Sequence, residues 1–255
     1  MEVEAIVLDW DGIIVDVDDR EFSCINKALE SVGSRALSRQ EYVRRYYSTP
    51  YTMAGPRLLL KGIIEDEKVA EKAIKTYNDK FSECIRLTRL QEGAFDTLEA
   101  LKRQNIRLAV ATLRRNRKVV EREMSLLGIG EFVDVLVTRE NLEPRLQKKP
   151  IFNVIAEVRA EQFVKALTLL KKEVSKAIVV GDSWWDIRGA KKERMVSAWV
   201  KTGFGFCGHC CNFRWSFRRS KRCHASNVRF AWKTRIDCLR NCNQARKTNN
   251  SSPNR

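Results

Sequence analysis

The chain has 255 residues, 44% of them apolar and 31% charged, with a formal net charge of +16. That balance excludes a disordered or fibrous protein, and no apolar run reaches the ~18 residues of a membrane-spanning helix. The charge is uneven: from Phe204 onward there are 12 Lys/Arg and a single acid, Asp237, so the rest of the chain carries only +5, and nucleic acid is a candidate partner of that tail alone.

Residues 5–10, AIVLDW, form a short apolar run that predicts a strand buried on both faces and ending at Asp9. The stretch VLDWDGIIVD then sets a second acid, Asp11, immediately before Gly12. Two carboxylates this close repel one another and lose hydration, and a surface turn explains one of them but not both. Asp16 is expected to close the turn into the next segment.

Residues 17–88 read as wholly helical. DDREFSCINKALESVG puts Phe22, Ile25, Ala28 and Leu29 on one face, and later stretches continue the pattern. About a hundred residues separate the first and second strands, far more than an ordinary crossover needs, so the segment reads as an insertion. Its loop YYSTPYTMAGPR offers Tyr47, Ser48, Thr49 and Arg57 as contacts for a ligand.

Further apolar runs at 106–112, 133–138, 176–182 and 197–202 alternate with helical stretches at 94–104, 117–128 and 151–174, with Gly128 as a helix stop and Pro150 at a helix start. The alternation predicts an α/β fold, a doubly wound parallel sheet with an inserted all-helical cap. The expected division is a core of 1–16 and 89–203, a cap of 17–88 and a tail of 204–255. Asp9, Thr112 and Asp182 each end a strand of this sheet, where ligands bind, and Asp11 and Asp186 follow closely. Trp184 and Trp185, beside Asp182, are expected to pack beneath the crevice and against the insert.

These motifs resemble those of the haloacid dehalogenase superfamily in its phosphatase branch, of the phosphoglycolate phosphatase-like kind. Asp9-Trp10-Asp11-Gly12 with Asp16, the run LAVAT ending in Thr112, Lys149-Pro150, and GDSWWD with Asp182 and Asp186 occur in the family's order. The resemblance implies a Rossmann-like core and a Mg2+-dependent phosphatase acting on a small phosphorylated metabolite, phosphoglycolate or a sugar phosphate. It implies Asp9 as nucleophile, forming an aspartyl-phosphate, and Asp11 as the proton carrier. It implies Thr112 and Lys149 as phosphate ligands, Mg2+ held by Asp9, the backbone carbonyl of Asp11 and Asp182, and Asp186 behind them. Asp11 argues against dehalogenation, because a halide leaves without a proton. A phosphomutase of the same fold is the alternative. Two features depart from the pattern: LRRN follows Thr112, and the stretch from Lys149 to Gly181 is long, which keeps Lys148 open as the phosphate lysine. Arg57 could meet a carboxylate or a second phosphate of the substrate.

The tail follows neither apolar period. Six of the eight cysteines and both histidines fall in it, in spacings that match no known zinc module, and its composition is that of a disordered or out-of-frame segment. A scaffold acting through a zinc-binding or nucleic-acid-binding tail is the competing reading. The acidic start, where a signal peptide would carry basic residues, predicts a cytoplasmic protein, its thiols reduced by default. Nothing in the sequence specifies an oligomeric state.

Overall fold

Alternation along the strands decides the layers. In β1 (Ala5–Leu8) Ile6 and Leu8 join one hydrophobic cluster, while Ala5 and Val7 join another. The same split recurs in β4 (Arg107–Ala111) and β6 (Ala177–Gly181): Leu108, Val110, Ile178 and Val180 face one way, and Ala109, Ala111, Ala177 and Val179 the other. A strand with apolar residues on both faces must be covered twice, and helices do so here. A computed structural model describes residues 2–46, 55–142 and 151–200, and it contains the predicted doubly wound α/β fold with its helical insertion.

The sheet has five parallel strands among the described residues, in the order β5-β4-β1-β6-β7, with β5 at Val135–Val137 and β7 at Val196–Trp199. β1 is central and in register with both neighbours, Leu8 lying opposite Val110 on one side and Val180 on the other. The chain moves outward through β4 to β5, then returns across β1 to lay down β6 and β7. This reversal puts a topological switch point at the carboxyl ends of β1, β4 and β6.

One face is covered by α5 (Ala94–Arg103) and α6 (Arg117–Leu126), through Leu98, Leu101, Val120 and Met124. The other is covered by α7 (Ile151–Leu170), through Phe163, Ala166, Leu167 and Leu170, with α8 (Trp184–Lys192) packed beside it. Burying each such Leu or Phe contributes about 1.5–3 kcal/mol, which sets the sheet's orientation.

The insertion begins after β2 (Val15–Asp16) and returns at β3 (Arg89–Leu90), and these two strands pair antiparallel. That small ladder, unforeseen in the sequence, fixes both crossings at one place. Between them lie α1 (Asp18–Glu30), α2 (Arg39–Tyr46), α3 (Pro56–Ile63) and α4 (Glu67–Cys84). They bury their own cluster, including Ile25, Leu29, Leu59, Leu60 and Ile74, so the insert has a separate core. Asp16 takes the expected role, its Oδ1 accepting the Asp18 N–H at 2.9 Å where α1 begins. No described helix is long and apolar enough to cross a membrane.

Candidate active site

Asp9, Thr112 and Asp182 come to the switch point because the ladder holds their backbones there. The Asp9 N–H donates to the Val180 carbonyl and the Thr112 N–H to the Val137 carbonyl, each at 2.9 Å. Beyond Asp9 the chain turns tightly: the Ile14 and Val15 amides donate to the Trp10 carbonyl, and the Gly12 amide to the Val15 carbonyl. Gly12 sits at φ 82°, a left-handed conformation that a side chain would oppose.

Asp9, Asp182 and Asp186 each offer a carboxylate oxygen within 4.8 Å of the others. Asp186 is fixed by a capping box at the start of α8, its Oδ2 accepting from the Ser183 amide and hydroxyl at 3.1 and 2.6 Å. This fold-back requires glycine at the end of β6: a Cβ on Gly181 would lie 2.3 Å from the Asp186 Cβ.

Among the described residues, the cation ion-paired to Asp9 is Arg159, which the sequence reading passed over. It projects from α7 with its side chain 1% exposed. Its Nη2 lies 3.1 Å from Asp9 Oδ1, its Nε donates to Asp186 Oδ1 at 2.5 Å, and its Nη1 donates to the Ala111 carbonyl at 2.8 Å. Gln162, one turn on, accepts from Arg159 Nη1 and donates to the Thr112 carbonyl. Burial pushes the Asp9 carboxyl well above the usual carboxylate range. The Arg159 guanidinium opposes that shift, while Asp186, Asp182 and Asp11 reinforce it.

Asp11 is turned to different partners. Arg114 Nε donates to its Oδ2 at 2.8 Å, Arg114 Nη2 donates to its Oδ1, and Arg20 Nη2 reaches Oδ1 at 3.2 Å. Burial raises its pKa, but these two guanidinium groups outweigh burial and hold the carboxyl below its ordinary value. Its carboxylate is not one of the converging three. Arg114 explains the LRRN departure after Thr112: it answers the charge of Asp11.

Three further expectations are answered less simply. Arg57 forms an ion pair with Glu71 at 2.8 Å with its side chain 62% exposed, so it stands as a surface charge. Trp184 is not packed beneath the crevice; it is 48% exposed and lies against Arg188, whose Cζ is 4.1 Å from the ring centroid. Lys148, Lys149, Tyr47, Ser48, Thr49 and the tail lie outside the described residues.

The donor set fits a divalent cation. Ionised together, the three clustered carboxylates would carry three negative charges, of which Arg159 offsets one, and such an all-oxygen site suits a hard divalent ion such as Mg2+.

The model of haloacid dehalogenase-like hydrolases matches residues 6–200. A PpaX protein of Caldanaerobacter subterraneus subsp. tengcongensis is 28% identical over 202 residues, covering 79% of this chain and 83% of its own. The pyrophosphatase PpaX of Halalkalibacterium halodurans is 25% identical over 201 residues, covering 78% and 84%. Among solved structures, a Clostridium difficile protein superposes with a TM-score of 0.66 at 23% identity over 80% of this chain and 88% of its own. A subfamily IA hydrolase of Geobacter sulfurreducens gives 0.61 at 20% identity over 76% and 85%. The solved structures share the fold. With the family model spanning both strand-end acid motifs, the chain belongs to the haloacid dehalogenase-like hydrolases and is an enzyme of their phosphatase branch.

Proposed function

We propose that the protein is a Mg2+-dependent phosphatase that cleaves a small phosphate ester through an aspartyl-phosphate on Asp9. The observation that carries this reading is the convergence of Asp9, Asp182 and Asp186 with Arg159 at the strand ends. Asp9 and Asp182 would hold Mg2+, together with the backbone carbonyl of Asp11, and Asp186 would steady the site from behind, since its oxygens already serve Ser183 and Arg159. Bound Mg2+ would offset negative charge on the transferring phosphoryl group and keep the Asp9 carboxylate ionised.

Asp9 attacks phosphorus as the bond to the leaving oxygen breaks, and Asp11 gives that oxygen a proton. Water then attacks the aspartyl-phosphate, Asp11 takes a proton from it, and phosphate leaves as the Asp9 carboxylate is restored. Held ionised by Arg114 and Arg20, Asp11 is prepared for the second of these steps; in the first it must arrive protonated and swing toward the leaving oxygen. The Thr112 hydroxyl and the Arg159 guanidinium are the described donors suited to phosphoryl oxygens. The helical insert acts as a cap that covers the crevice and chooses the substrate.

The substrate class is a small phosphorylated metabolite. A Haemophilus somnus neighbour in fold is described as a predicted phosphoglycolate phosphatase. Inorganic pyrophosphate is a second reading, favoured by the names of the PpaX relatives. The deciding experiment compares phosphate release from phosphoglycolate, sugar phosphates and pyrophosphate by the full chain with Mg2+, alongside Asp9→Asn. Loss of at least about a thousandfold in Asp9→Asn is expected, and an unchanged rate overturns the proposal. Transfer of the phosphoryl group to a sugar phosphate in preference to water would identify a mutase instead.

A further inference from the structure

Behind Asp11 its two arginines run into a buried charged cluster centred on Glu123 of α6, a residue that no step above uses and that has no exposed surface. Its carboxylate accepts four donors. The Trp10 indole N–H donates to Oε2 at 3.1 Å, and Arg114 Nη1 donates to the same oxygen. Arg20 Nη1 donates to Oε1 at 2.8 Å, and the Thr88 hydroxyl donates there at 2.7 Å. Both arginines that hold Glu123 also hold Asp11, and the Phe81 ring centroid lies 4.9 Å from Arg20 Cζ and 5.5 Å from Arg114 Cζ.

The sources of these groups matter. Trp10 sits between Asp9 and Asp11, and Arg114 follows Thr112 by two residues. Arg20 stands at the start of α1 and Thr88 immediately before β3, so each belongs to one crossing into the insert. Arg20 is also gripped from the insert's side, by Glu21 at 2.7 Å, whose other oxygen accepts the Tyr77 hydroxyl at 2.6 Å. A buried carboxylate with four donors is costly to build and stiff once satisfied.

We propose that Glu123 is a positioning residue: by holding Arg20, Arg114 and Trp10 together it fixes where the Asp11 carboxyl can reach, and through Arg20 and Thr88 it does so only when both crossings of the insert are in place. This rests on Asp11 being the proton carrier. A misplaced proton carrier hurts poor leaving groups most, since these need a proton to depart, whereas a general loss of structure hurts all substrates alike.

The test uses the full chain with Mg2+ and two esters, 4-nitrophenyl phosphate with its good leaving group and glycerol phosphate with its poor one. Glu123→Gln, Trp10→Phe and Thr88→Val are compared with the parent and with Asp11→Asn. The expected result is a fall in kcat/KM, which reports the first transfer and not the shared hydrolysis of the aspartyl-phosphate, about tenfold greater on glycerol phosphate than on 4-nitrophenyl phosphate in each cluster variant. If Glu123→Gln does not fold, Trp10→Phe, which keeps a ring and removes one hydrogen bond, carries the decision. Equal falls on both esters, or none, overturn the positioning role while Asp11→Asn remains selective. A split in Trp10→Phe without one in Thr88→Val overturns the link to the insert. If Asp11→Asn itself spares glycerol phosphate, the reading of Asp11 is what fails.

Discussion

Arg159 Nη2 lies 3.1 Å from Asp9 Oδ1, so a guanidinium carried by a core helix reaches the carboxylate at the end of the central strand. The same side chain bonds Asp186 and a strand carbonyl, and it is buried throughout its length. A charge so placed ties β1, β4 and α8 together and lowers the repulsion among three acids. Both functions predict effects of replacing it.

Arg159→Ala should reduce kcat by about a hundredfold or more. Unfolding free energy should fall by about 3–5 kcal/mol, because the buried Asp186 and the partly buried Asp9 lose their partner. Arg159→Lys should recover charge without the forked geometry and fall between. Urea melts and phosphate release on the same preparations check this. Should Lys149→Ala cost as much in kcat with stability untouched, Lys149 is the phosphate cation and Arg159 a structural partner only.

Gly181→Ala would put a methyl group where the Asp186 side chain folds back, 2.3 Å from its Cβ. The backbone at the end of β6 is the part least able to move, so Asp186 must yield and loosen its bonds to Ser183 and Arg159. A loss of about 1–3 kcal/mol is expected, with lower kcat. A thermal melt matching the parent would contradict the close packing.

Much of this could be read in the chain itself. Runs such as AIVL and AIVVG, rich in β-branched residues, read as strands covered on both faces, and that brings Asp9, Thr112 and Asp182 to one edge. Arg159 was harder to see, because one arginine in VIAEVRAEQFVKAL reads as a solvated position on an apolar helix. Its signal was the shared face with Gln162, one turn away, beside Val158 and Phe163, all four buried. Glu123 gave less warning still. Helical spacing places it on a face with Val120 but says nothing of Trp10 or Arg20, which lie about a hundred residues away. Contacts of that range come from tertiary packing and leave no local period.

Acid should weaken the fold through the first strand. Hydrogen bonds from Lys172 and Lys176 hold the Glu4 carboxyl down at about 2, against 4.5 ordinarily. A depressed carboxylate pKa contributes stability that is complete above the unfolded value and is lost as pH falls through the folded one. The window is thus pH 4.5 down to 2. Glu4→Gln should melt lower than the parent at neutral pH, and the two melting temperatures should converge as pH approaches 2. A constant difference across that range would show that Glu4 acts by something other than its charge.

Metal should couple to stability through Asp182. A ligand that binds only the folded state raises its stability by RT ln(1 + [L]/Kd), so Mg2+ at a hundred times its Kd should add about 2.7 kcal/mol. Asp182 is 3% exposed and stands in the cluster with Asp9 and Asp186. Asp182→Asn removes one of three charges while preserving size, and it should abolish most of the Mg2+-dependent rise in melting temperature. Without metal, the variant should melt at or above the parent, because the repulsion among the acids is relieved. Chelation should silence the parent enzyme reversibly and leave its fold intact, since the sheet and the insert's core rest on apolar packing. An Mg2+ shift of equal size in parent and Asp182→Asn would move the metal away from the strand ends, and with it the reading of Asp9 as a nucleophile screened by a cation.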